Sequence, residues 1–169
     1  DFSGKEYQNH KLEDVRIYLT NVNHKLSPCT ENGAQEFINI GGLDIHTIEE
    51  MNNPQYVYKS LTRGIGKDVQ RVDIDLYCYP NTTEEESMGS PFTRLVIEGK
   101  IDGVTYYYPL TINRRDGGNG VERNVCYIYD VRICRKGTDN PDTAIDRDMA
   151  EISMEICDWT EKEGGYVGF

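Results

Sequence analysis

The sequence predicts an all-β sandwich, and three observations predict it. An Asp-Gly pair, Asp102-Gly103, stands between two runs of alternating apolar residues, the strongest short-range signal for a two-residue β-hairpin. Twelve Tyr, sixteen Gly and six Pro favour short strands joined by turn-rich loops. No segment carries a long helical period. At 169 residues the chain is long enough for one good core and short for two, so one main domain is expected.

The elements follow in chain order. Val15, Ile17 and Leu19 alternate with Arg16, Tyr18 and Thr20, a half-buried strand ending near Asn21. Residues 23–68 are irregular; Thr47-Ile48-Glu49-Glu50 fits a capping box for a short helical turn before Asn53-Pro54. A loop this long in a compact domain carries either function or short strands that leave no pattern. Val72, Ile74, Leu76 and Cys78 alternate with Arg71, Asp73, Asp75 and Tyr77 up to Pro80-Asn81. A charged loop, NTTEEESMGSP, leads into the hairpin. After the turn-like NRRDGGNG, Val125, Tyr127, Tyr129, Val131 and Ile133 share one face of a long strand, opposite Cys126, Ile128, Asp130, Arg132 and Cys134. A polar break at 136–148 precedes Ile152, Met154 and Ile156, which alternate with Glu151, Ser153 and Glu155, and a last short strand is expected at 166–169.

The Asp102-Gly103 turn specifies cross-strand partners. Ile101/Val104, Gly99/Tyr106, Ile97/Tyr108, Leu95/Leu110 and Thr93/Ile112 fall on one side, which reads as core. Lys100/Thr105, Glu98/Tyr107, Val96/Pro109 and Arg94/Thr111 fall on the other, facing water or a partner. Tyr107 is therefore the member of the Tyr106-Tyr107-Tyr108 run open to display, and Tyr106 is expected to lie over Gly99. Residues 96 and 109 form a non-hydrogen-bonded pair, so residue 109's N–H would point to the far edge. Proline has none, which marks Pro109 as an unpaired, bulged or open edge.

Charge and motifs exclude several function classes. With 29 acidic against 18 basic residues, the net charge of −11 opposes binding to nucleic acid or anionic lipid. No apolar run approaches the roughly 18 residues of a membrane span, and no signal peptide opens the chain. No nucleophile elbow, phosphate loop, dinucleotide fingerprint or metalloprotease spacing is present. His10, His24 and His46 stand alone, no catalytic residue, metal site or cofactor is expected, and the chain is expected not to be an enzyme. Asp139, Asp142, Asp146 and Asp148 read as a solvated acidic loop rather than a Ca²⁺ site. Cys29, Cys78, Cys126, Cys134 and Cys157 show no CxxC pair and read as small buried hydrophobes; Cys126 and Cys134, eight residues apart on one strand, are too far apart to bond. Asn81-Thr82-Thr83 fits an N-glycosylation sequon, and Asp142-Thr143-Ala144 an O-glycosylation triplet of exported Bacteroidetes proteins.

Taken in order, YCYPN (77–81), TRLVIEGK (93–100), YYYPL (106–110), ERNVCY (122–127), GTDNPD (137–142) and CDW (157–159) make a more specific pattern. Over roughly residues 15–169 the chain resembles the C-terminal domain of a Bacteroidetes fimbrillin, a type V pilus subunit of the FimA and Mfa-like superfamily. The resemblance implies a transthyretin-like Greek-key β-sandwich. It implies export to the outer membrane and cell surface, and polymerisation with other pilus subunits by strand exchange after proteolytic trimming. Host or bacterial surface receptors are the further partners implied. On this basis residues 1–149 are expected to form the sandwich and 150–169 a C-terminal appendage, with Ile152, Met154 and Ile156 as the donated stripe and Trp159 as its end anchor. The alternative is a carbohydrate- or peptide-binding module that stacks ligands on Tyr56, Tyr58 and Tyr107.

Overall fold

The computed structural model describes residues 10–23, 37–38, 58–66, 74–87, 90–114, 117–143, 145 and 150–158. Eight strands are described: β1 (Glu13–Thr20), β2 (Val22–Asn23), β3 (Phe37–Ile38), β4 (Tyr58–Ser60), β5 (Arg94–Ile101), β6 (Val104–Thr111), β7 (Val125–Ile133) and β8 (Ala150–Asp158). The described part holds no helix. One antiparallel sheet has the order β4-β1-β5-β6, a second pairs β7 with β8, and a short ribbon pairs β2 with β3. The expected capping-box turn at 47–50 and the strand at 166–169 lie outside the described residues. The irregular stretch does contain short strands, β3 and β4.

The hairpin register is as expected, from Ile101 opposite Val104 to Arg94 opposite Thr111. Asp102 and Gly103 both take positive φ, 52° and 79°, as a type I′ turn requires. The inward side chains of β5 and β6 meet those of β7. Ile97, Ile101 and Tyr108 cluster with Leu12, Val15 and Ile133, and Val131 packs against them. A second cluster joins Leu19, Val22, Ile112 and Val121 with Leu76, Cys78, Leu95, Tyr127 and Tyr129. The β7-β8 ribbon therefore lies face to face on the four-stranded sheet, which makes the all-β sandwich. Tyr108 is fully buried and donates its hydroxyl to the Arg135 carbonyl at 2.8 Å, so its polar tip is satisfied.

Three details differ from the pattern. First, Leu12 occupies the space above Gly99: a Cβ built on Gly99 would lie 2.4 Å from the Leu12 Cγ. The cause is a bulge in β1 between Glu13 and Arg16, with Asp14 at φ 48°. It brings both Leu12 and Val15 into the core and leaves Asp14 ion-paired with Lys100 at 2.8 Å. Tyr106 packs at the margin of the same cluster, with the Lys136 ammonium 5.7 Å from its ring centroid.

Second, the far side of the hairpin is not uniformly open. Val96 and Pro109 are buried and Arg94 is 8% exposed. Tyr18 sits opposite Val96, and Glu86 accepts hydrogen bonds from the Arg94 guanidinium and the Phe92 N–H. Third, residues 74–79 keep their alternation, with Leu76 and Cys78 inward and Tyr77 and Tyr79 outward. Among the described residues, however, this segment makes only a single bridge, Tyr79 to Asn23.

The Leu12–Gly99 contact gives a test. Leu12→Ala is expected to cost about 2–5 kcal/mol and Gly99→Ala about 1–3 kcal/mol in urea denaturation. The double substitution should cost clearly less than their sum, because the added methyl enters the vacated space.

Candidate functional site

The outer edge of β6 is the first place where the sheet meets its surroundings. In this register odd-numbered N–H groups of β6 point away from β5. At Tyr107 that group is used: its N–H donates to the Thr138 carbonyl at 2.9 Å, and the Thr138 N–H donates back to the Tyr107 carbonyl at 2.9 Å. Gly137 makes the approach possible, since a Cβ there would lie 2.2 Å from the Tyr107 carbonyl oxygen. Asn140 organises the rest of this loop. Its carbonyl accepts from the Thr138 hydroxyl at 2.7 Å, and its Oδ1 accepts from the Asp142 N–H at 2.8 Å. Two residues beyond the bridge stands Pro109, on the same edge and without an N–H to offer. Sequence reasoning singled out Pro109 but missed the Gly137-Thr138 clip beside it.

The second place is the C-terminal strand. β8 pairs antiparallel with β7 along its whole length, from Ile133 opposite Ala150 to Val125 opposite Asp158. Ile152, Met154 and Ile156 stand opposite Val131, Tyr129 and Tyr127, on the core-facing side. Burial fades along the strand: Ala150 is buried, Ile152 and Met154 are half-buried, and Ile156 is 52% exposed. Among the described residues β8 has a strand neighbour on one side only. Trp159 lies outside the described residues.

The third is the outer face of the four-stranded sheet. Tyr58 on β4 stacks on Tyr18 of β1, with ring centroids 6.3 Å apart. Beside them Arg16 donates to Glu98 at 3.0 Å, and the Tyr18 hydroxyl donates to the other Glu98 oxygen at 3.1 Å. Burial, then the Glu98 charge, pushes the Tyr18 phenol well above its ordinary pKa, and the same two causes raise Tyr107. Tyr58 and Tyr107 thus share one face, separated by β1 and β5 at roughly 16 Å, three strand spacings across and two residues along. Tyr56 lies outside the described residues.

The quoted motifs turn out to hold loops in place. Asn81 of YCYPN is 1% exposed, and its amide donates to the Pro91 carbonyl at 2.8 Å and to the Thr93 hydroxyl at 2.9 Å. Both amide hydrogens are used inside the protein, so the sequon nitrogen is closed to a glycan in the folded chain. Tyr127 of ERNVCY donates to the Gly120 carbonyl and accepts from the Glu122 N–H, each at 2.9 Å. In the O-glycosylation triplet, Thr143 is exposed and Ala144 lies outside the described residues.

Among the described residues no three His, Cys, Asp or Glu side chains gather as metal ligands. His10 bonds Asp102 at 3.1 Å; His24, His46, Asp146 and Asp148 lie outside the described residues. No described helix is long and apolar enough to cross a membrane.

No protein-family model matches the chain, and no curated protein matches it. Among solved structures, it is similar in fold to a candidate cell adhesion protein from Parabacteroides distasonis, with a TM-score of 0.51 and 15% sequence identity. The match covers 94% of this chain and 56% of the other, so the chain spans little more than half the length of its neighbour.

Cys78, Cys126 and Cys134 are free thiols, and burial pushes the Cys78 thiol up to about 12 from 9.0. Native alkylation at pH 8 should therefore leave Cys78 unmodified until the chain is unfolded. Because the folded state holds this proton more tightly than the unfolded state, the thiol's contribution to stability should decline as pH rises from 9.0 towards about 12. Thermal unfolding of a Cys78→Ala variant, which lacks the group, should show a shallower decline over that window.

Proposed function

We propose that this chain is a structural, non-enzymatic subunit of a cell-surface fimbria of Bacteroidetes type, joined to its neighbours by β-strand donation and serving cell adhesion. One observation carries the proposal. β8 bears a period-2 apolar stripe on its inward side, is hydrogen-bonded along one edge only among the described residues, and leaves Ile156 half in water. A strand that is regular, apolar and incompletely covered suits transfer into the groove of a second copy, where the backbone completes a ladder and alternate side chains fill pockets. Support comes also from the ordered motif series, and from the shared fold with a protein whose name points to adhesion. Three aliphatic anchors at about 1.5–3 kcal/mol each would make a tight joint.

A second reading takes the outer face as a ligand surface. Tyr58 and Tyr107 flank the Arg16–Glu98 pair there, a set that suits stacking and polar contact with a sugar or peptide. On a glycan array, Tyr58→Ala and Tyr107→Ala would abolish binding under this reading and leave the chain unaffected under strand donation.

Ile156→Ser tests donation directly. Half exposed in the isolated chain, Ile156 should cost within about 0.5 kcal/mol of stability when replaced. In a donated joint the same side chain would be fully buried, so end-to-end association measured by light scattering should weaken tenfold or more, each factor of ten being about 1.4 kcal/mol. Equal association of the two proteins, or none by either, would overturn the proposal.

A further inference from the structure

The β7-β8 ladder places Cys126 directly opposite Cys157. Directly opposed residues of an antiparallel pair lie on one face of the sheet with Cα atoms about 4.5–5.5 Å apart. That separation falls inside the roughly 4.4–6.8 Å that a disulfide spans. Among the described residues the competing thiols are poorly placed. Cys134, one residue past the end of β7, is about 26 Å away along an extended chain, and Cys78 lies in the core with Tyr127. Cys126 itself is a free, half-buried thiol.

The position of this rung matters. It is the last but one of the ladder, at the end remote from the connection between Ile133 and Ala150. A two-stranded ribbon is marginal by itself and frays from its open end. At that end sits Ile156, the most exposed of the three aliphatic residues of the stripe.

We infer that Cys126 and Cys157 form a redox-controlled cross-strand disulfide that clamps the open end of β8 onto β7. A disulfide-class oxidant, such as oxidised glutathione, supplies the electron balance. One protein thiolate attacks the oxidant and expels a thiolate; the second cysteine attacks the mixed disulfide and expels the other. The protein loses two protons and two electrons, and the oxidant becomes two thiols. The consequence for assembly rests on the strand-donation proposal: an oxidised β8 is held in its own chain, and a reduced β8 is available for exchange.

The test uses the full chain equilibrated with oxidised or reduced glutathione. Peptide mapping of the oxidised form should yield a Cys126–Cys157 linked peptide lighter by two hydrogens, absent from Cys126→Ser and from Cys157→Ser. Amide exchange near Met154 and Glu155 should slow about tenfold or more on oxidation of the native chain alone. Failure to find that linked peptide, or its formation with no change in exchange, would overturn the clamp. Association read on the same samples separates the two ideas: a confirmed clamp with equal self-association in both redox forms sinks strand donation by β8 and leaves the clamp standing.

Discussion

Everything in the four-stranded sheet hangs on the phase of β5. This strand is hydrogen-bonded on both sides, to β1 and to β6, and its phase against β6 is set by the positive φ angles of Asp102 and Gly103. A slip of one residue would carry Ile97 and Ile101 out of the core and put Lys100 and Glu98 into it. The bulge at Asp14 then adapts β1 to that phase, with Leu12 seated where Gly99 leaves room. A two-residue turn and one missing side chain thus align three strands, and through Tyr108 they also align the opposing ribbon.

Much of this was legible because hairpin register is a local property. Asp102-Gly103 named every partner between β5 and β6, and period-2 alternation found β1, β7 and β8 to within a residue or two. Long-range facts left no such trace. Nothing near Gly99 signals that Leu12, far upstream, fills its gap, since the bulge depends on a left-handed Asp14. Arg94 is buried with its guanidinium on Glu86, a contact from the preceding loop that strand periodicity does not encode. The cysteines show the same division: spacing along one strand ruled out Cys126 with Cys134, but only pairing between strands brought Cys126 opposite Cys157.

Buried asparagines, one of them in the YCYPN motif, hold the loops in place. Asn21, Asn81 and Asn113 are all buried, and each side-chain amide donates to a backbone carbonyl, of Phe92, Pro91 and Gly120 respectively. Such amides take over hydrogen bonds that a sheet would otherwise provide, which lets turns run through the interior without orphaned carbonyls. Each of these amides ties its loop to a fixed carbonyl, so the path of the chain there is set by one side chain.

The clip at Tyr107 and the neighbouring Pro109 have a further consequence. Fibrils of the cross-β kind grow by in-register stacking over six or seven uninterrupted residues. Along its outer rim β6 meets Thr138 at one odd-numbered position and lacks a donor at the next, so no such uninterrupted row is presented. An apolar, tyrosine-rich ribbon that would otherwise be prone to amyloid growth is thereby denied a template on that side.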